Sequence, residues 1–242
     1  MSTPWHMPTV LVTGCNRGLG LEFARQYGAA GWQVLATCRD PQDAPELQAL
    51  RAAHAGIEIH ALDVADFDAI GAFAKRLAGR PIDVLLNNAG VFGPKPTAGR
   101  DPRQSFGSID YGIWSDVLRV NLMAPMRMAE ALLEHVAASQ QRKIVAISSV
   151  EGSIAQASGG IYAYKTSKAA LNMLMHNLSF DVAARGIVTA AFCPGWIRTR
   201  MGGPGAPLEA PPSIAGVRQV IEKLTPATSG RFWLWSGENL PW

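Results

Sequence analysis

Cysteine, histidine and clustered charge are the scarce materials of this chain. Its 242 residues hold three cysteines, Cys15, Cys38 and Cys193, far apart and odd in number. There is no CxxC pair and no His/Cys spacing of a zinc site, which excludes a disulfide-stapled scaffold and a zinc-ribbon protein. The thiols are expected to be reduced and buried or half-buried. Five histidines are scattered singly, so no metal site is expected. Net charge is only +3, with no run of Lys or Arg, so the basic stripe of a nucleic-acid binder is missing. No stretch approaches the ~18–20 apolar residues of a membrane span. The opening MSTPWHMPTV lacks the charged segment and apolar stretch of a secretory leader. A soluble, cytoplasmic protein is expected. No repeat, low-complexity tract or linker divides the chain, so one domain over residues 1–242 is expected.

What is present is apolar sequence in short runs. Hydrophobic residues make up 48% of the chain, enough for a large core. β-Branched runs predict strands at 9–13, 33–37, 57–62, 82–87, 143–148, 187–192 and 231–235. Helical patterns lie between them, at 19–30, 44–54, 66–78, 113–138, 161–185 and 213–223. This alternation predicts an α/β fold of parallel strands with helices on both faces. The strands are nearly continuous apolar runs, as expected when both sheet faces are covered. Residues 195–212, GWIRTRMGGPGAPLEAPP, are Gly/Pro-rich and aperiodic. They predict a substrate lid, or else a long surface connection.

Two local patterns carry chemistry. The first is TVLVTGCNRGLGLEFARQYGAAG, a strand, a turn with Gly14, Gly18 and Gly20, and a helix. Glycine permits positive φ and close backbone approach, and a helix N-terminus favours phosphate. The second is Tyr164 with Lys168, four residues apart and so on one helical face. A phenol beside an ammonium is a plausible proton-transfer device, because the cation stabilises the phenolate. An ordinary surface pair is the alternative.

The glycine turn, NNAG at 87–90, Asn121 in VNL, Ser149, Tyr164-x-x-x-Lys168 and PGWIRT at 194–199 follow one another in order. Together they resemble the short-chain dehydrogenase/reductase family over nearly the whole chain. PGWIRTRMGG and the ending SGRFWLWSGENLPW resemble its C-factor-like, carbonyl-reductase-type branch. The resemblance implies a single-domain Rossmann fold, with a seven-stranded parallel sheet of order 3-2-1-4-5-6-7. It implies a cofactor at the carboxyl ends of the strands, at the switch point between strands 1 and 4.

The resemblance also assigns roles. Tyr164 is similar to the acid that protonates a carbonyl oxygen as hydride reaches carbon, and Lys168 is expected to lower its pKa. Tyr162 is excluded, since Thr166 and not lysine follows it by four. Ser149 resembles the serine that hydrogen-bonds the substrate carbonyl. Asn121 resembles the asparagine of a proton relay through water to Lys168, and a local kink is expected there, helped by Pro125.

Cofactor contacts are implied for Gly14, Asn16, Arg17, Gly18, Leu19 and Gly20, and for Tyr164 and Lys168 themselves. Asp63 and Val64 resemble the pair at the adenine. Asn88, Ala89 and Gly90 would line the cofactor, although NNAG could chiefly lock the sheet. Pro194 and Gly195 would shape the turn from which Ile197 and Thr199 reach the nicotinamide amide. At the end of strand 2, Cys38 stands in the place of the acid that holds a ribose 2′-OH. Arg39 follows it, and with Arg17 it would suit a 2′-phosphate, so NADP(H) is expected. Asp40 could reach the ribose instead if the strand ran farther.

Val91, Phe92, Ile154, Trp196 and Met201 suggest an apolar pocket for a lipophilic aldehyde or ketone. Glu151 could bind a polar substrate group or point to water. Helix 165–180, apolar almost all round, suggests a homodimer contact, shared in this family with the 113–138 helix. The expected activity is NADP(H)-dependent carbonyl reduction or the reverse oxidation. A non-catalytic NADP(H)-binding signalling protein of the C-factor type is the alternative. A carrier-protein reductase is a third reading, with only Arg198 and Arg200 as its basic patch.

Overall fold

The computed structural model describes residues 7–95 and 101–242. The first six residues, part of the segment read for a leader, lie outside this range. Seven strands form one parallel sheet: β1 (Thr9–Thr13), β2 (Gln33–Cys38), β3 (Ile57–Ala61), β4 (Val84–Asn87), β5 (Lys143–Ile147), β6 (Val188–Cys193) and β7 (Arg231–Leu234). Their spatial order is β3-β2-β1-β4-β5-β6-β7, the order expected. Each observed strand lies within two residues of its predicted bounds.

Alternation along the strands feeds two cores. Val10, Val12 and Leu86 point to one face, where they meet Phe23 and Tyr27 of helix α1 (Gly18–Ala29), Leu47 of α2 (Pro45–Ala53) and Val217 of α7 (Ala210–Lys223). Leu11 and Leu85 point to the other. There they meet Phe73 of α3 (Phe67–Arg76), Leu132 of α5 (Ala124–Ala137) and Met175 of α6 (Tyr162–Asp181). Every residue of β1 is buried, because helices cover both faces. Asp66 starts α3 by accepting from the Asp68 and Ala69 amides, as an N-cap should.

Two helices depart from their predicted form. The 113–138 pattern is not continuous: α4 (Tyr111–Leu118) passes into a π-helical turn, Arg119–Met123, before α5. The widened turn holds Asn121, where the kink was expected, and π-turns often mark functional sites. Helix α7 begins at Ala210, three residues before the predicted start, with Pro in its first turn. The Pro211-Pro212 pair read as loop is thus helix, since proline lacks only an N–H that the first turn leaves unpaired anyway.

Candidate active site

Helix α6 brings Tyr164 and Lys168 onto one face, and both side chains are buried. The Lys168 ammonium donates to the Ile147 carbonyl at the end of β5, at 2.8 Å. It lies 5.8 Å from the centre of the Tyr164 ring. Burial pulls Lys168 down to about 8 and pushes the Tyr164 phenol up to about 12, against a hydrogen bond with Ser149 that lowers it. The expected lowering of Tyr164 by Lys168 is therefore not what dominates. Loss of water disfavours the phenolate and the ammonium alike.

The two serines part company at the strand end. Ser148 is buried, and its hydroxyl points at the Lys168 carbonyl, at 3.5 Å. Ser149 is the one hydrogen-bonded to Tyr164. It also caps the short turn Val150–Gly152 by accepting from the Glu151 amide at 3.2 Å. The cap and the hydrogen bond to Tyr164 thus meet in one side chain. Tyr162 stands apart, and Thr166 one turn on donates back to its carbonyl at 2.7 Å.

Asn121 is buried in the π-turn and grips the loop after β4. Its Oδ1 accepts from the Val91 amide at 2.8 Å, and its Nδ2 donates to the Val91 carbonyl at 2.8 Å and to Ser167 Oγ at 3.0 Å. Gly90 lies between this amide and the lysine: a Cβ there would stand 3.3 Å from Asn121 Oδ1 and 3.6 Å from Lys168 Nζ.

The glycine turn sits at the carboxyl end of β1. Gly14 has φ 73°, a conformation that favours glycine. A Cβ on Gly20 would lie 2.2 Å from the Gly14 carbonyl oxygen and 2.6 Å from Asn88 Nδ2, so only glycine lets α1 start this close to the turn. Asn16, Leu19 and Gly18 are half-buried around it, and Arg17 is exposed. Arg17 is the capping residue of α1 but makes no side-chain cap, which leaves the helix start suited to an anion. Asn88 does lock the strands, donating to the Thr13 carbonyl at 2.8 Å. Thr13 Oγ1 in turn accepts from the Asn88 and Ala89 amides at 3.0 and 2.9 Å.

Strand β2 ends at Cys38, which is buried, and Arg39 is the first residue beyond it, exposed. Asp40 follows, but its Oδ1 accepts from the Gln42 and Asp43 amides at 2.9 and 3.3 Å. It is occupied in its own turn. Beyond β3, Val64 is buried, and exposed Asp63 accepts from the Ala65 amide at 2.9 Å.

Past β6 the chain folds back over the glycines. The Pro194 carbonyl is held by Ser213 Oγ at 2.7 Å, and Gly195 has φ 88°. Ile197 is buried and bridges to Leu208. Thr199 lies over Gly18, where a Cβ would meet its Cγ2 at 3.8 Å. The segment is clasped on itself: Arg198 pairs with Glu209 at 2.7 Å, and Trp196 Nε1 donates to the Gly202 carbonyl at 2.9 Å. Lys95 ties it to the loop after β4 through the Arg200 and Met201 carbonyls. The Arg198–Glu209 pair leaves little of a basic patch.

Phe92 rests its ring 4.5 Å from that of Tyr164. Val91, Ile154, Trp196 and Met201 are exposed. Glu151 pairs with Lys165 at 2.9 Å. Two residues without a functional signal in the sequence pattern are prominent here. Gln104, in an aperiodic stretch, is fully buried and reaches the Tyr164 amide. Cys193 accepts from the Val150 amide at 3.1 Å and so joins β6 to the Ser149 turn. All three cysteines are buried and unpaired. Among the described residues no group of side chains could hold a metal, and no helix is long and apolar enough to cross a membrane.

Comparison with known proteins points the same way. Residues 8–207 match the family model described as short chain dehydrogenase. The C-signal protein of Myxococcus xanthus is 40% identical over 172 residues, covering 71% of this chain and 99% of that protein. The carbonyl reductase from chicken fatty liver, solved with NADPH bound, superposes with a TM-score of 0.88 at 34% identity. It covers 98% of this chain and all of that one. The carbonyl reductase Sniffer of D. melanogaster gives the same TM-score, identity and coverage.

Proposed function

Since the chain belongs to the short-chain dehydrogenase/reductase family, we propose that it is an NADP(H)-dependent carbonyl reductase with Tyr164 as its general acid. One observation carries this reading: Tyr164, Ser149 and Lys168 converge in a buried site at the carboxyl end of the sheet that also carries the glycine turn. The turn fits a dinucleotide. Its helix start has no side-chain cap, and Gly20 admits no Cβ. Gly14, Asn16, Gly18, Leu19 and Gly20 would hold the phosphates, with Arg17 and Arg39 at the 2′-phosphate. Asp63 and Val64 would hold the adenine, and Asn88, Ala89 and Gly90 the ribose side. Pro194, Gly195, Ile197 and Thr199 would set the nicotinamide end.

When bound, NADPH supplies a hydride to a carbonyl carbon. Ser149 and Tyr164 hold the carbonyl oxygen by hydrogen bonds, and Tyr164 gives it a proton as negative charge develops there. Asn121 shapes the route for reprotonation by fixing the loop beside Lys168. A phenol held at about 12 carries its proton at neutral pH, the form that donates to a carbonyl oxygen in reduction. The apolar rim of Val91, Phe92, Ile154, Trp196 and Met201 supports a lipophilic aldehyde or ketone, with 195–209 as the lid over it. Exposed Met173 and Phe180 on α6 support a homodimer, and light scattering tests that. A cytoplasmic location completes the reading.

Purified protein, NADPH and a panel of aldehydes, ketones and quinones test it, with the absorbance of the reduced cofactor as readout. Turnover is expected, and Tyr164→Phe is expected to lower it on the order of 10²–10⁴-fold while NADPH still binds. The likeness to the C-signal protein favours a second reading, an NADP(H)-binding signalling protein without catalysis. Binding with no turnover across the panel, and an undiminished biological effect of Tyr164→Phe, would establish that reading instead.

A further inference from the structure

Helix α6, which carries Tyr164, starts poorly by itself. Its capping position is Ile161, held at φ 52° and ψ 45°, with no side-chain cap. Left-handed backbone is costly for a β-branched residue. Tyr162, Ala163 and Tyr164 form the first turn, whose amides have no partner within the helix. Two of the three are taken by one residue nearly sixty positions earlier. The Gln104 carbonyl accepts from the Tyr162 amide at 3.0 Å, and Gln104 Oε1 accepts from the Tyr164 amide at 3.0 Å. Gln104 Nε2 donates to the carbonyls of Phe92 and Pro94 at 2.8 and 2.6 Å. Two carbonyls require the amide nitrogen and one N–H requires the oxygen, so the orientation of the side chain is fixed. Gln104 has no exposed surface. Gly93 makes room for it, since a Cβ there would meet Nε2 at 3.0 Å. The loop so held presents Phe92 to the Tyr164 ring.

We propose that Gln104 is the positioning residue of the site, setting the Tyr164 ring by capping its helix and by holding the loop that presents Phe92. The inference rests on Tyr164 as the proton donor. Gln104 touches no reacting atom, so its loss should slacken the phenol and leave the glycine turn as it was. The effect belongs in kcat and in the state of one ring.

The test uses the full chain with tyrosine labelled with ¹³C at Cζ. There are four tyrosines, and Tyr164→Phe identifies the signal of interest. Gln104→Leu removes all three side-chain bonds. Gln104→Glu keeps the oxygen for the Tyr164 amide and loses the donors. For Gln104→Leu, the Tyr164 signal is expected to shift or broaden while that of Tyr27 stays in place. The variant should also lose at least tenfold in kcat with the NADPH Kd within threefold. Phe92→Leu should reproduce part of this loss, and the two substitutions together should be less than additive. A Tyr164 signal unmoved in both Gln104 variants overturns the proposal, whatever happens to kcat. A signal that moves in a protein without turnover supports the positioning and counts against the reductase reading. If Gln104→Leu does not fold, Gln104→Glu carries the same two readouts, with a smaller displacement expected.

Discussion

Lys168 donates a hydrogen bond from its ammonium to the Ile147 carbonyl, 2.8 Å away, and is buried. One backbone oxygen does not replace a hydration shell, so burial holds the lysine at about 8 instead of its ordinary 10.5. Below about pH 8 folded and unfolded chains both carry the proton, and the cost to the fold is fully present. Between about 8 and 10.5 only the unfolded chain holds it, so stability rises with pH. Lys168→Met is expected to stabilise the protein at pH 7 by about 1–3 kcal/mol while abolishing turnover. Urea unfolding at pH 7 and at pH 9.5 checks this. The gain should shrink at the higher pH, and a gain that grows there would contradict the argument.

Tyr164 has the opposite sign. Its phenol is pushed up to about 12 from 10, so the folded chain keeps a proton that the unfolded chain loses in that window. Stability should therefore fall as pH rises from 10 toward 12, and less so in Tyr164→Phe. Unfolding midpoints of the two proteins at pH 9 and pH 11 give the comparison. Equal losses in both would rule out this contribution.

Gly20→Ala places a methyl group against the Gly14 carbonyl oxygen. Backbone must move to admit it, at a cost of about 3 kcal/mol. A lower unfolding midpoint and weakened NADPH binding are both expected, because the same movement opens the phosphate turn. An unaltered Kd with an unaltered midpoint would mean that the turn is looser than its geometry.

Arg39 and Asp40 are adjacent but differently employed. Arg39 is exposed just past β2, whereas Asp40 is bound to the Gln42 and Asp43 amides. Arg39→Ala should weaken NADPH by about tenfold to a hundredfold, the loss of one charged hydrogen bond, with NADH little changed. Asp40→Ala should leave the preference between the two as it was. Fluorescence titration with each cofactor measures both, and a native preference for NADH would reverse the cofactor assignment.

Asn121→Ala strips the Val91 amide and carbonyl of their partner. A loss of roughly 1–3 kcal/mol is expected, together with a raised KM, since Val91 belongs to the proposed substrate rim. A variant with native stability and native KM would show that the loop does not depend on this clamp.

Much of the molecule was legible because the signals are local. Short apolar runs alternating with helical patterns marked all seven parallel strands, five of them interior and β3 and β7 at the edges. The spacing of Tyr164 and Lys168 put them on one helical face, and the three glycines marked a turn where Gly20 leaves no room for a Cβ. Pattern alone did not separate α4 from α5, because the π-turn at Asn121 leaves the apolar period nearly intact. Nor did it show that Pro211 and Pro212 begin a helix, since the same pair reads as loop until the strand before it is placed.

What the sequence determined by itself is the order of elements and the placing of Tyr164 and Lys168 on one helical face, for both follow from near-neighbour spacing; the proton-carrying roles proposed for them come from the family resemblance. The tertiary structure alone decided how those residues behave. Gln104 meets Tyr164 across sixty residues, Thr199 comes to rest over Gly18, and Asp40 is drawn into its own turn. Burial, not the neighbouring ammonium, sets the direction in which Tyr164 is shifted. Desolvation is the sum over everything packed around a group, and no spacing along the chain records that sum.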